Sequence, residues 1–185
     1  MRIIAGRWKG TRLVSPAGNK IRPTLDRVKE SIFSILGYRI QDARVLDLCA
    51  GTGSLGLEAM SRGAYFAVFV EKNEKAWLTV RENCTKVHAG ADVRIVRGDV
   101  LKFIRGWEPA QGTFSLIFFD PPYRSGLYLP VLAALDENAL LSPGGMIVVE
   151  HGRDQAFASY GTLTMVDNRT YRDTQISFFT RREGE

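Results

Sequence analysis

From Arg44 onward, continuous apolar runs alternate with amphipathic segments, and this constrains the fold more than any other feature of the chain. The runs are Val45–Leu48, Phe66–Val70, Val93–Val96, Ser115–Phe119 and Met146–Val149. Between them, Leu55–Arg62, Asn73–Val87, Val100–Arg105 and Leu127–Leu140 carry apolar residues at helical spacing. Strands without polar alternation are buried on both faces, which predicts a parallel sheet covered by helices on its two sides. The end breaks the pattern. Leu163–Asn168 and Thr174–Thr180 are separated only by a short polar turn, predicting an antiparallel hairpin. The fold class is therefore α/β: a doubly wound, seven-stranded, mostly parallel sheet that ends in a hairpin. Such sheets bind ligands at the carboxyl ends of their parallel strands.

The first residues read differently. Arg2 to Val14 alternates apolar and polar residues around Gly6 and Gly10, which suits a short hairpin, and Ser15-Pro16-Ala17-Gly18-Asn19 is a break. Leu25, Val28, Ile32, Ile35 and Leu36 then follow helical spacing, with Thr24 placed to cap the helix and Gly37 to stop it. The chain thus divides into an N-terminal basic hairpin, 1–20, and a main domain, 21–185. Charge follows the same division. Residues 1–42 hold nine Lys/Arg against three acids, and the rest sixteen against seventeen, so the formal +5 is an N-terminal property. Arg2, Arg7, Lys9, Arg12 and Arg22 would neutralise a polyanion, and Trp8 offers a stacking face, which points to nucleic acid. The competing reading is a solvated face with Trp8 plugging a small core.

Other classes are excluded. A chain of 185 residues has room for one ordinary domain. No charge-free stretch approaches the roughly 18–20 residues of a membrane span. The early charges of Arg2 and Arg7 interrupt any signal-peptide core, so a cytoplasmic protein is expected. Cys49 and Cys84 have no Cys or His at metal-ligand spacing, which reads as two reduced thiols and no metal.

The turn Asp47-Leu48-Cys49-Ala50-Gly51-Thr52-Gly53-Ser54-Leu55-Gly56 lies at the first strand-to-helix junction. Glycine there lets the backbone approach a ligand. Gly51, Gly53 and Gly56 satisfy a dinucleotide fingerprint, and Glu71 falls where a ribose-binding acid belongs. Asp47 argues against a pyrophosphate, because a carboxylate beside the pocket suits an ammonium group. S-adenosylmethionine carries an amine, a sulfonium and a ribose, and no phosphate. Asp99 ends the third strand, where it can reach an adenine amino group. Both Asp47 and Asp99 could equally cap helices.

Phe118-Phe119-Asp120-Pro121-Pro122-Tyr123 is the most informative string. A buried strand delivers a carboxylate, two prolines fix the backbone, and an aromatic ring follows. Exocyclic amino groups of bases are poor nucleophiles because the nitrogen lone pair is conjugated into the ring. The Asp120 carboxylate and the Pro121 carbonyl can accept both amino hydrogens and favour a pyramidal nitrogen, while Tyr123 stacks on the base. A structural proline turn is the plain alternative.

These strings together resemble the class I S-adenosylmethionine-dependent methyltransferases, and within them the bacterial small-subunit (16S) ribosomal RNA guanine-N2 methyltransferases. The resemblance also covers Arg2-Ile3-Ile4-Ala5-Gly6, Lys9-Gly10, Arg22-Pro23-Thr24, Arg27-Val28-Lys29-Glu30 and Glu71-Lys72-Asn73. It implies a Rossmann-like fold, S-adenosyl-L-methionine as cofactor, and ribosomal RNA or the small ribosomal subunit as partner of a monomer. Asp47, Gly51 and Gly53 would line the methionine end, Glu71 the ribose hydroxyls, Asp99 with Val100 the adenine, and Asp120, Pro121, Pro122 and Tyr123 the target guanine. Two alternatives stay open: methylation of another base amino group, such as adenine N6, and a non-catalytic RNA-binding protein with this fold. The sequence departs from the family at Cys49, where an aromatic is common. It departs again at Arg172, where the turn Tyr171-Arg172-Asp173-Thr174 usually has Gly.

Overall fold

Seven strands form one sheet in the order β3-β2-β1-β4-β5-β7-β6, and the helices among the described residues pack on its two faces. The computed structural model describes residues 1–15, 23–155, 157, 159–172 and 174–182. In chain order the elements are α1 (Pro23–Leu36), β1 (Arg44–Leu48), α2 (Ser54–Ser61), β2 (Phe66–Glu71), α3 (Glu74–Lys86), β3 (Val93–Arg97) and α4 (Val100–Arg105). They continue with β4 (Phe114–Phe119), α5 (Tyr128–Glu137), β5 (Leu141–Gly152), β6 (Leu163–Tyr171) and β7 (Thr174–Arg181). Strands β1 to β5 are parallel, and β7 runs antiparallel to both β5 and β6.

Alternate side chains of each strand enter two separate cores. Val45, Phe69, Phe118 and Val148 face α1, α2 and α3, while Leu46, Val70, Phe119 and Val149 face α4 and α5. This is why the central runs are apolar throughout: each parallel strand is covered twice. The order reverses between β1 and β4, so the loops leaving their carboxyl ends diverge and open a crevice there.

Element ends follow local chemistry. The Asn73 side chain accepts from the Ala76 amide and starts α3, and Asp99 accepts from the Leu101 and Lys102 amides and starts α4. His88 has φ 53° just past α3. The structure corrects several boundaries. Thr24 lies inside α1, which begins at Pro23, a residue suited to the first helical position because its missing amide hydrogen would be unpaired there. Strand β5 extends to Gly152 because β7 pairs with its last residues. His151 is buried in that extension with Nε2 2.8 Å from the Ser177 hydroxyl. Among its described residues, 1–15, the N-terminal hairpin has no regular strand. It is a turn closed by one antiparallel bridge, Arg2 with Arg12. Arg22 and the boundary at residue 20 lie outside the described residues.

Candidate active site

The carboxyl ends of β1, β2, β4 and β5, with the residues that follow β3, surround a cavity of about 1370 Å³. Asp47, Gly51, Glu71, Asp99, Val100, Asp120, Pro121, Pro122 and Tyr123 all line it, so residues from four loops converge there. Gly53 is not among the lining residues. Its φ of 74° makes the left-handed turn that starts α2, and a Cβ there would sit 3.3 Å from the Val80 side chain. Its contribution is to the shape of the turn.

Three of the carboxylates, Asp47, Glu71 and Asp99, are held by backbone amides. Asp47, 2 % exposed, accepts from Gly56 N–H at 2.9 Å, which pins the glycine turn beneath it. That close approach needs Gly56, because a Cβ at this position would lie 2.4 Å from the Phe69 ring. Burial pushes the Asp47 carboxyl up to about 7, with the Gly56 bond opposing and Glu71 adding to the rise. Glu71 accepts from Gly51 N–H at 2.9 Å through one oxygen and from Asn73 N–H at 2.7 Å through the other. A carboxylate has about four acceptor positions, so two remain for a pair of hydroxyls. Asp99 caps α4 and also meets Lys72 Nζ at 3.3 Å; its pKa is lowered, first by the Lys102 amide. The capping and ligand-facing readings of Asp47 and Asp99 are thus compatible.

Asp120 follows β4 and is exposed to the cavity. Desolvation, then the charges of Glu150 and Asp47, raise its pKa well above the usual carboxylate range. The Tyr123 ring is half exposed at the rim, and its hydroxyl bonds to Thr174 and to Glu150. Glu150 was not anticipated. It ends the apolar core of β5, and the only sequence signal was an acid at the place where β1, β2 and β4 also end in acids. Among the lining residues Lys29 and Lys72 are the cations, against Asp47, Glu71, Glu74, Asp99, Asp120 and Glu150. This excess of acids, with two free acceptor positions on Glu71, fits a ligand with a sulfonium, an ammonium and a ribose. A pyrophosphate would meet repulsion.

The N-terminal turn covers the neighbouring face of α2. Fully buried Glu58 accepts from Ile4 N–H at 2.8 Å and Ala5 N–H at 3.0 Å, and pairs with Lys29 at 3.1 Å and Arg62 at 2.8 Å. Asn83 brackets Val14 through both its N–H and its carbonyl. Ile3 and Leu13 are buried in the core shared with α1, and Trp8 packs against it with the Arg7 guanidinium 4.2 Å from its ring. Arg2, Arg7, Lys9 and Arg12 are exposed, Arg2 meeting Asp26 at 3.5 Å.

Sheet order, terminal hairpin and cavity are those of a class I methyltransferase, whose methyl donor is S-adenosylmethionine. The model of the family described as Conserved hypothetical protein 95 matches residues 1–180, and the chain belongs to that family. It is 37% identical over 183 residues to the Bacillus subtilis protein YlbH, covering 98% of this chain and 100% of YlbH. It is 37% identical over 151 residues to ribosomal RNA small subunit methyltransferase D of Escherichia coli, covering 81% of this chain and 74% of that protein. The solved structure of yhhF from Escherichia coli superposes with a TM-score of 0.86 at 30% identity, covering 100% of this chain and 99% of the other.

Proposed function

We propose that this chain transfers a methyl group from S-adenosylmethionine to the N2 amino group of a guanine in the 16S ribosomal RNA of the small ribosomal subunit. The observation that carries the proposal is Asp120-Pro121-Pro122-Tyr123 at the end of β4, opening into the same cavity as Glu71 and the glycine turn. The relative in Escherichia coli, named for methylation of small-subunit ribosomal RNA, supports the substrate class.

In this reading Asp47 and the turn carrying Gly51 and Gly53 hold the methionine end, Glu71 accepts from the ribose hydroxyls, and Asp99 with Val100 holds the adenine. When bound, S-adenosylmethionine supplies a methyl group on a positively charged sulfur. Asp120 and the Pro121 carbonyl accept the two amino hydrogens of the base, and Tyr123 stacks on its ring. Held there, the base nitrogen would receive the methyl group of S-adenosylmethionine, with the carbon–sulfur electron pair staying on sulfur. The methylated nitrogen then gives up a proton, which the raised pKa of Asp120 equips its carboxylate to receive. Positioning supplies most of the acceleration. Exposed Arg2, Arg7, Lys9 and Arg12 grip phosphates, joined by Arg22, with Trp8 beside them as a stacking surface.

The test uses small-subunit RNA from cells lacking the protein, digested to nucleosides after reaction. The parent yields N2-methylguanosine. Asp120→Ala loses about 10²–10³-fold in turnover, the cost of removing one group that stabilises the transition state, and still binds S-adenosylhomocysteine. N6-methyladenosine as the product, or near-parental turnover by the variant, overturns the proposal.

A further inference from the structure

The pairing of β4 with β5 aligns Phe119 with Val149 on strands about 4.8 Å apart, so Asp120, the first residue past β4, lies beside Glu150, which is still within β5 and paired with β7. Both line the cavity. Glu150 is also anchored from the other side: Thr174 Oγ1 is 3.3 Å, and the Tyr123 hydroxyl 3.4 Å, from its Oε1. The two hydroxyls also bond each other, so one of them can donate its hydrogen to the other while the other donates to Glu150; the carboxylate is anchored through this one oxygen and its second oxygen remains an acceptor. The methyl-transfer scheme uses Asp120 and the Pro121 carbonyl for the amino group. It leaves Glu150 without a task, although an acid in this position is costly to keep half-buried.

Base edges differ in what stands next to the amino group. In guanine the N2 amino group adjoins N1–H, so the edge presents a continuous row of donors. In adenine and cytosine the amino group adjoins a ring nitrogen that carries a lone pair. An acceptor beside the amino-holding pair therefore matches guanine alone among the amino-bearing bases. We propose that Glu150 accepts a hydrogen bond from N1–H of the target guanine and is the residue by which this site selects guanine. The inference rests on the guanine reading above and deepens it. Burial raises the pKa of Glu150, with the Thr174 and Tyr123 bonds opposing. A fixed N–H donor against the carboxylate favours its charged form, so the acid is held where only the correct base settles it.

A purine that keeps the 2-amino group but lacks N1–H probes this contact: 2-aminopurine has a lone pair at N1 and also lacks O6, so it is the change in preference between the parent and Glu150→Gln that isolates the N1 contact. Once the parent's target nucleotide is mapped, the RNA is made with guanine or 2-aminopurine there, and transfer of labelled methyl groups is measured for the parent and Glu150→Gln. Glutamine can still accept from Thr174 and Tyr123 while its amide offers N–H groups where the carboxylate offered an oxygen. The parent prefers guanine by about 10–100-fold, the range set by a hydrogen bond to a charged group. Glu150→Gln loses or reverses that preference and binds S-adenosylhomocysteine as the parent does. Thr174→Val, which removes one anchor of the carboxylate, narrows the preference without reversing it. An unchanged preference in Glu150→Gln, with or without a lower rate, overturns the inference and leaves Glu150 as a support for Tyr123. Failure of the parent to methylate guanine in any RNA overturns the underlying reading instead.

Discussion

At the carboxyl ends of the parallel strands the acids Asp47, Glu71, Asp120 and Glu150 are gathered around one cavity, whereas residues 1–14 carry Arg2, Arg7, Lys9 and Arg12 and no acid. The two regions are also built in opposite ways. In the cavity the charged groups themselves are immobilised, because Asp47 and Glu71 accept from the amides of Gly56, Gly51 and Asn73. In the N-terminal turn the backbone is immobilised, through Glu58, Ser61 and Asn83, and the cations are left exposed. Fixed acceptors select a ligand by the pattern of its donors. Exposed cations on a fixed backbone attract any polyanion. The regions meet at Lys29, which reaches Glu58 at 3.1 Å, the Arg2 carbonyl at 2.6 Å and Ser54 at the start of α2 at 3.3 Å.

The largest effect should come from breaking that junction. Glu58→Ala leaves Lys29 and Arg62 without their shared partner and strands the Ile4 and Ala5 amides, and removing one member of a buried ion pair costs about 3–5 kcal/mol. The expected outcome is a lower melting temperature together with weaker S-adenosylhomocysteine binding, measured on one sample by thermal unfolding and calorimetry. If the variant loses only RNA affinity, the turn over residues 1–14 is a separate arm after all.

The sheet and the cavity were legible in the sequence because both are written in short local strings. A doubly covered strand must be apolar throughout, and a turn that approaches a ligand must be glycine-rich, so β1, β2 and β4 and the loops after them could be read directly. The docking of the N-terminal turn was not legible. It depends on Glu58, Asn83 and Ser61, which look like ordinary helix residues until the fold brings residues 4, 5, 8 and 14 against them. Glu150 was missed for a related reason: its neighbours Asp120 and Thr174 come from strands that are adjacent only in space. The turn at Arg172 lies between. Its departure from glycine was visible, and the structure gives it φ 46°, the left-handed conformation that glycine adopts without strain.

A smaller effect sharpens the comparison from the cavity side. The Asp47 carboxyl stands at about 7 in the ligand-free protein, above its ordinary value of 3.8. A raised value in an acid means that the fold holds the proton more tightly than the unfolded chain does. Its contribution to stability is therefore fully present below 3.8 and is lost as pH rises through about 7. An ammonium group beside Asp47 relieves the charged form. The rise in melting temperature caused by S-adenosylhomocysteine should accordingly grow from pH 6 to pH 8, by at most about 1.4 kcal/mol per pH unit. A constant rise across that range removes Asp47 from contact with the ammonium.

The smallest effect on the molecule itself is expected at the other pole. Arg7 and Lys9 are exposed, and Arg7 touches the turn only through the exposed face of Trp8, a contact worth about 0.5–1 kcal/mol, so replacing both with Ala should change the melting temperature little and leave S-adenosylhomocysteine affinity at the parental value. Trp8 is kept, because it packs on the core. RNA affinity should fall a few-fold. The informative quantity is its salt dependence: counterion release makes log affinity linear in log salt, and the slope should flatten by roughly one unit for each phosphate contact removed. Glu58→Ala changes stability first, whereas this double variant changes only the slope. An unchanged slope would mean that the phosphates meet another surface and that the basic turn is a solvated face, and the division between a region that selects by donor pattern and one that attracts by charge would then have to be redrawn.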